Sequence, residues 1–478
     1  MLDRLSALDA SFLYLEEPTT AMHVGSVMVF EPPPDGFDFD RLLALIGARI
    51  GRSPRYRQRV RELPGKLAGP VWVDDVAFDL TYHVRRAGLP RPGSTEQLQE
   101  FVGRIQSRPL DRAKPLWEVY LVEGLTQNRF AVVTKTHQAM VDGVNAMDIG
   151  QLILDETRDL GPLPPVAWSP RREPSRPELM VQAAAEMLIK PSHMVEAVRG
   201  GVEDVVALGG QMASTVGEVV STVARTATRP APSSPLNVRV GAPRRYAMVL
   251  TDLEDYRRVR EAFSDDPAAP EAVDVSINDV VLATITGALR TWLQSRGEAV
   301  YSSSSVRAMV PLSIYDEGDP AASGNRVTAC FVDLPVGEPN AGHRLEQVAF
   351  QMRQQVGGAV GAMTLAGIAG FAPPTLHHLG ARLSSAVSRR IFNVVITNVP
   401  GPQEPRYAAG ARLLQSYPVI PLALGQAVSV GVTSYDGTVC IGLNGDRVAM
   451  WDLDLLGDCV SEALADLVQT PPAKGRPR

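Results

Sequence analysis

The chain has 478 residues, 45% of them hydrophobic and 21% charged, with 47 Lys and Arg against 53 Asp and Glu for a net charge of -6. That length exceeds what one core usually fills, so two domains are expected, and the slight acidity argues against a nucleic-acid partner because no basic excess offsets phosphate charge. Three cysteines, Cys330, Cys440 and Cys459, are odd in number and far apart, which gives neither a disulfide framework nor a metal-ligand spacing and fits a reducing cytoplasm.

From the N-terminus, Met1-Leu2-Asp3-Arg4-Leu5-Ser6 carries acid and lacks the apolar centre of a secretory signal. Nowhere do 18 apolar residues run uninterrupted, so no membrane span is expected. Val24–Phe30 reads as a strand, closed by Glu31 and the prolines at 32–34. Phe39, Leu42, Leu43, Ile46 and Ile50 form a helical stripe. Ser94-Thr95-Glu96-Gln97 is a capping box that opens a helix with Leu98, Phe101, Val102 and Ile105 on one face. Strand-like runs follow at Leu116–Val122 and Phe130–Thr136, and the second leads straight into His137.

Prolines at 162, 164, 165, 170, 174 and 177, and again at 230, 232, 235 and 243, mark a linker. Between them, valine or methionine at 195, 198, 202, 205, 212, 216, 219 and 223 makes a helical stripe, weakened by Gly200, Gly201, Gly209 and Gly210. Glu203, Asp204 and Glu218 are its charges between 200 and 224. It therefore reads as a helical hairpin packed on protein rather than on anionic lipid. Beyond Arg244, Thr251-Asp252-Leu253-Glu254 is read as a capping box, and Ser276-Ile277-Asn278-Asp279 as the start of a helix running to about Leu293. Strands are expected at Val306–Val310, Val327–Val336, Asn393–Thr397, Ala427–Thr433 and Thr438–Leu443. The domains expected are thus 1–160, a linker over 161–243, and 244–478.

Lys135-Thr136-His137-Gln138-Ala139-Met140-Val141-Asp142-Gly143 carries the chemistry. An apolar β-branched run delivers a histidine at its end, Asp142-Gly143 turns the chain, and Asn145–Leu154 has helical spacing. Strand ends entering loops are where such scaffolds place reactive side chains, and a histidine there can take a hydroxyl proton near neutral pH. A strand-end histidine satisfied by backbone is the other reading of the same spacing.

The segment resembles the HHxxxDG motif of the wax ester synthase/diacylglycerol acyltransferase family, relatives of chloramphenicol acetyltransferases and peptide-synthetase condensation domains. Leu8-Asp9-Ala10-Ser11-Phe12 is similar to that family's opening segment, and Pro115-Leu116-Trp117 to its PLW motif. Asn278-Asp279 is similar to its ND motif, and Thr397-Asn398-Val399-Pro400-Gly401-Pro402 to its SNVPGP-like segment. These fall in the family's order across nearly the whole chain. The resemblance implies an α/β (α+β) fold of two chloramphenicol-acetyltransferase-like domains with a tunnel between them, joined by a partly helical linker. It implies transfer of a fatty acyl group from acyl-CoA to diacylglycerol or a long-chain alcohol, giving triacylglycerol or wax ester by general-base activation without a covalent intermediate. It further implies no metal and no cofactor beyond acyl-CoA as co-substrate. A cytoplasmic protein with peripheral contact to a membrane or lipid droplet would suit such substrates.

The site residues so implied are His137, Gln138 and Asp142, with Gly143, Pro115, Leu116, Trp117, Asn278 and Asp279 as structural members of the motifs. The family's base is the histidine four residues before the Asp, and that position here is Gln138. Glutamine donates and accepts hydrogen bonds but exchanges no proton near pH 7. Three readings follow: His137 is the base after a backbone adjustment, Gln138 orients the hydroxyl while water takes the proton, or the chain is a catalytically weakened acyl-binding homologue. Asp142 is expected to hold its loop through an arginine, Arg326 being one candidate, and Gly143 to allow a close turn. Asn278 and Asp279 are expected to cap a helix. Trp117 reads as core, His377-His378 as a pair without an Asp-Gly, and His23 as a candidate to approach the tunnel.

Overall fold

Period-two runs of β-branched residues must bury at least one face, and here they assemble into two six-stranded sheets with helices packed against them. The computed structural model describes residues 3–62, 69–141, 149–159, 168–175, 177–178, 230–264, 275–314, 326–357 and 391–471. The expected helical hairpin over 195–223 and the His377-His378 pair lie outside the described residues.

The first half runs β1 (Asp3–Arg4), α1 (Ala7–Leu15), β2 (His23–Glu31), α2 (Phe39–Arg49), β3 (Gln58–Arg61) and β4 (Val71–Asp74). It continues through α3 (Leu80–His83), β5 (Val84–Gly88), α4 (Thr95–Gln106), β6 (Trp117–Glu123), β7 (Phe130–His137) and α5 (Ile149–Ile153). The Ser94 box forms as its sequence demands: Ser94 Oγ accepts from Gln97 N, and Gln97 Oε1 accepts from Ser94 N.

The second half runs β8 (Arg244–Asp252), α6 (Leu253–Ser264), α7 (Ile277–Ser295), β9 (Val306–Ile314), β10 (Arg326–Leu334) and α8 (Ala341–Gly357). Then come β11 (Val394–Val399), β12 (Tyr407–Ala408), β13 (Ala411–Val419), β14 (Val428–Tyr435), β15 (Thr438–Asp446) and α9 (Leu453–Gln469). The capping box expected at Thr251 does not form. Strand β8 extends through Asp252, so Thr251 keeps ladder geometry with its hydroxyl 3.1 Å from Tyr256 Oη, and Asp252 Oδ1 caps α6 by accepting from Glu254 N at 2.9 Å.

The first sheet has the order β12-β13-β2-β7-β6-β5 and the second β10-β9-β11-β14-β15-β8, while β1, β4 and β3 form a small third sheet. The linear halves and the sheets therefore do not coincide. Strand β13 belongs to the second half by sequence, yet it pairs antiparallel with β2 of the first sheet. Its sequence, with Gln415, Ser416 and Pro418 breaking the apolar period, gives no strand signal of its own.

Two glycines allow this crossing. Gly431 and Gly442 face each other across β14 and β15. A Cβ on Gly442 would stand 2.0 Å from Pro418 O and 2.4 Å from Tyr246 Oη, so the pair opens a notch that receives β13. Tyr246 Oη donates to Pro418 O at 2.8 Å across the same contact. A core cluster spans the junction, joining Leu98, Val102 and Ile105 of α4 and Val27 and Val133 of the first sheet to Tyr246, Tyr417 and Cys440. The halves thus share apolar core rather than only touching.

Candidate active site

Strand β7 is flanked by β2 and β6 and buried along its whole length, so it carries His137 into the interior at its C-terminal end. His137 N donates to Leu116 O at 2.9 Å, which ties the end of β7 to the Pro115-Leu116-Trp117 segment. The chain then enters a 3₁₀ turn, Gln138–Met140, with His137 as its cap: His137 Nδ1 accepts from Ala139 N at 3.1 Å. That bond assigns the ring proton to Nε2. Nε2 lies 3.7 Å from Glu16 Oε2, and the side chain is 0% exposed.

Glu16 closes α1 and links two buried histidines, His137 and His23, to the exposed Arg112. Its Oε2 accepts from Arg112 Nε at 3.1 Å and Nη2 at 2.6 Å. Its Oε1 lies 3.4 Å from His23 Nε2, and His23 faces His137 directly across β2 and β7 with ring centroids 6.2 Å apart. Burial alone would raise the Glu16 pKa, yet the imidazoles of His137 and His23 and the Arg112 guanidinium hold it well below the usual carboxylate range. His23 is pushed down to about 4, chiefly by burial, with Lys135 acting in the same direction and Glu16 against it. Lys135 is itself fully buried; its Nζ donates to Ile105 O at 3.1 Å and to Arg108 O, at the carbonyl end of α4. Burial pushes its pKa down to about 8.

Gln138 sits differently. Its backbone N–H donates to Met22 O at 2.9 Å, and its carbonyl accepts from Val141 N at 3.0 Å. The side chain is half-buried, and among the described residues its amide makes no hydrogen bond or ion pair. Consecutive side chains at a strand end point to opposite sides, which puts His137 beside Glu16 and turns the Gln138 amide away from it. In this geometry the His137 nitrogens face Ala139 N–H and Glu16, so neither offers a free lone pair to a hydroxyl. Gln138 can orient a hydroxyl but cannot hold its proton.

Asp142 and Gly143, and the Arg326 side chain, lie outside the described residues. Trp117 is fully buried in the core, its Nε1 donating to Tyr56 O at 2.8 Å and its ring stacked 4.5 Å from that of His83. Asp279 completes a capping box with Ser276: its Oδ2 accepts from Ser276 N at 2.9 Å and Oγ at 2.7 Å. Asn278 Oδ1 accepts from Asn398 Nδ2 at 3.1 Å, which joins the start of α7 to the Thr397–Pro402 segment. Glu16 and Arg112 escape sequence reading because neither stands in a recognisable spacing with His137; the folding of α1 against the end of β7 brings them there. His23 is signalled only as a polar residue at the start of an apolar strand.

The wax ester synthase/diacylglycerol acyltransferase catalytic-domain model matches residues 5–281, and the model of that family's C-terminal domain matches 323–468. A probable diacylglycerol O-acyltransferase of Mycobacterium tuberculosis, tgs3, is 46% identical over 267 residues, covering 56% of this chain and 98% of the relative. A second from the same organism, tgs2, is 31% identical over 474 residues, covering 98% of this chain and 99% of the relative. The solved wax ester synthase/diacylglycerol acyltransferase of Marinobacter aquaeolei VT8 is similar with a TM-score of 0.68 at 29% identity, over 98% of both chains. The first condensation domain of the calcium-dependent antibiotic synthetase shares the fold at 15% identity, with a TM-score of 0.58 over 99% of this chain and 98% of that one.

Proposed function

The chain belongs to the wax ester synthase/diacylglycerol acyltransferase family and is an acyl-CoA-dependent acyltransferase; from that membership we propose that it moves a long-chain acyl group from acyl-CoA to the hydroxyl of diacylglycerol or a fatty alcohol. The single observation that supports the mechanism is the contrast in surroundings between two neighbouring side chains at the end of β7. His137 is enclosed with Glu16, and the amide of Gln138 beside it makes no hydrogen bond among the described residues. The acceptor oxygen attacks the thioester carbonyl, and the tetrahedral intermediate collapses by breaking the C–S bond and releasing CoA thiolate. The hydroxyl proton passes through water to that thiolate, so the products are ester and CoA thiol with no acyl-enzyme. Gln138 accepts a hydrogen bond from the acceptor hydroxyl and so aligns it. Alignment of two bound substrates supplies much of the acceleration. A missing general base forgoes a factor of roughly 10²–10⁴, so turnover is slow.

The site-forming residues His137, Gln138 and Asp142 are carried in this reading as cap, aligner and loop holder, and acyl-CoA is a co-substrate. Among the described residues no helix is long and apolar enough to cross a membrane. An apolar acceptor is then delivered from a membrane or lipid droplet by peripheral contact. The test is purified protein with palmitoyl-CoA and either diolein or hexadecanol, following free thiol. Thiol release that needs the acceptor supports the transferase. Binding of palmitoyl-CoA without acceptor-dependent release supports the acyl-binding homologue instead, for which Gln138 is the favouring feature.

A further inference from the structure

Arg244 begins β8 in the second sheet, and it is 5% exposed. Among the described residues its guanidinium has no carboxylate within ion-pair distance. It is satisfied by carbonyls: Nη1 donates to Gly241 O at 2.6 Å and to Ala242 O and Pro243 O at 3.2 Å, while Nη2 donates to Thr19 O at 2.5 Å. Its backbone N–H donates to Ser107 Oγ at 2.8 Å, at the end of α4. One residue thus fastens the segment leading into the second half to two separate parts of the first.

Thr19 is not an arbitrary anchor. It lies in the tight Glu17–Thr20 turn, closed by bonds between Glu17 N and Thr20 O at 3.3 Å and Thr20 N and Glu17 O at 2.9 Å. Glu16, which holds the two imidazoles, immediately precedes that turn. Met22, whose carbonyl receives the Gln138 N–H, and His23 follow it within three residues. We infer that Arg244 is a positioning residue that locks the Glu17–Thr20 turn to the second half and thereby fixes the frame of Glu16, His23 and Gln138. The inference rests on Gln138 acting as proposed above only for its effect on rate; its effect on the frame is independent of that reading.

A guanidinium suits this role because its planar fork reaches several carbonyls in fixed directions, whereas an ammonium presents a single point. Loosening the turn admits water beside His23. The charged and titratable groups around His23 are Glu16 at the end of α1, with its partner Arg112 from the segment between α4 and β6, and His137 and Lys135 on β7. With those charges unchanged and burial reduced, the His23 pKa moves up from about 4 toward its ordinary value.

The experiment titrates the histidines by NMR in the full chain for wild type, Arg244→Lys, Arg244→Met and the neighbouring control Arg245→Met, alongside kcat and KM for palmitoyl-CoA. The expected result for Arg244→Met is a His23 pKa raised by about one unit or more and a kcat lowered about tenfold with KM nearly unchanged. Arg244→Lys moves both less, and Arg245→Met moves neither. An unmoved His23 titration in Arg244→Met overturns the inference, even if the melting temperature falls, since a merely structural residue would do only that. If Arg244→Met does not fold, the same titration on Arg244→Lys decides. A shifted His23 in a protein whose wild type shows no acceptor-dependent turnover leaves the positioning role standing and removes the proposed reaction.

Discussion

Acid should weaken this fold through His23 in a defined window. In the unfolded chain His23 takes up its proton around pH 6.5, whereas in the folded protein burial holds it neutral down to about 4. Between these values the unfolded state binds more protons, so stability falls as pH falls. Integrated from pH 7.5 to 4.5, one such group removes about 2–3 kcal/mol, a large part of the roughly 5–15 kcal/mol that holds an ordinary domain folded. Glu16 acts with the same sign, because its folded pKa is depressed and its contribution is lost as pH falls, but it does so mainly below this window. His23→Gln removes the titrating group while keeping a side chain able to meet Glu16. The assay is urea unfolding of both proteins at half-unit steps from pH 7.5 to 4.5. Wild type should lose about 2–3 kcal/mol more than His23→Gln over that range. Parallel curves would refute the claim that the folded protein holds His23 neutral.

Two further substitutions test the frame around the site. Gly442→Ala puts a methyl against Pro418 O and Tyr246 Oη, one of them backbone, and should destabilise by about 1–3 kcal/mol or prevent β13 from docking, as thermal melting will show. Trp117→Ala empties a fully buried site and breaks the bond to Tyr56 O; denaturant unfolding should show a loss of about 3–5 kcal/mol, with Trp117→Phe losing less.

Much of the architecture was legible because local chemistry and fold agree. The Ser94 and Ser276 caps, the run from Phe130 into His137, and the strands of β14 and β15 each carry a signal a few residues long. What was not legible depends on contacts far apart in the chain. Strand β13 has a broken apolar period and is defined by its partner β2 and by the Gly431–Gly442 notch. Thr251 looked like a cap, but β8 claimed it for the ladder. Near the end of β7, the motif named His137 and Gln138 but gave no sign that the two side chains have different surroundings. That difference follows from Glu16, whose side chain comes near His137 only because α1 packs on the end of β7.

The central claim is that His137 caps the turn and Gln138 aligns the acceptor. It is tested most directly by acceptor-dependent thiol release from palmitoyl-CoA by wild type, Gln138→Ala, Gln138→His and His137→Asn. Turnover is expected in wild type, with its loss in Gln138→Ala and a gain of roughly 10²-fold in Gln138→His with a new acid limb near pH 6.5. His137→Asn should keep most of the wild-type rate, since an amide oxygen can still accept from Ala139 N–H. If His137→Asn abolishes turnover while Gln138→Ala leaves it intact, the ring of His137 moves the proton and Gln138 is not the aligning group.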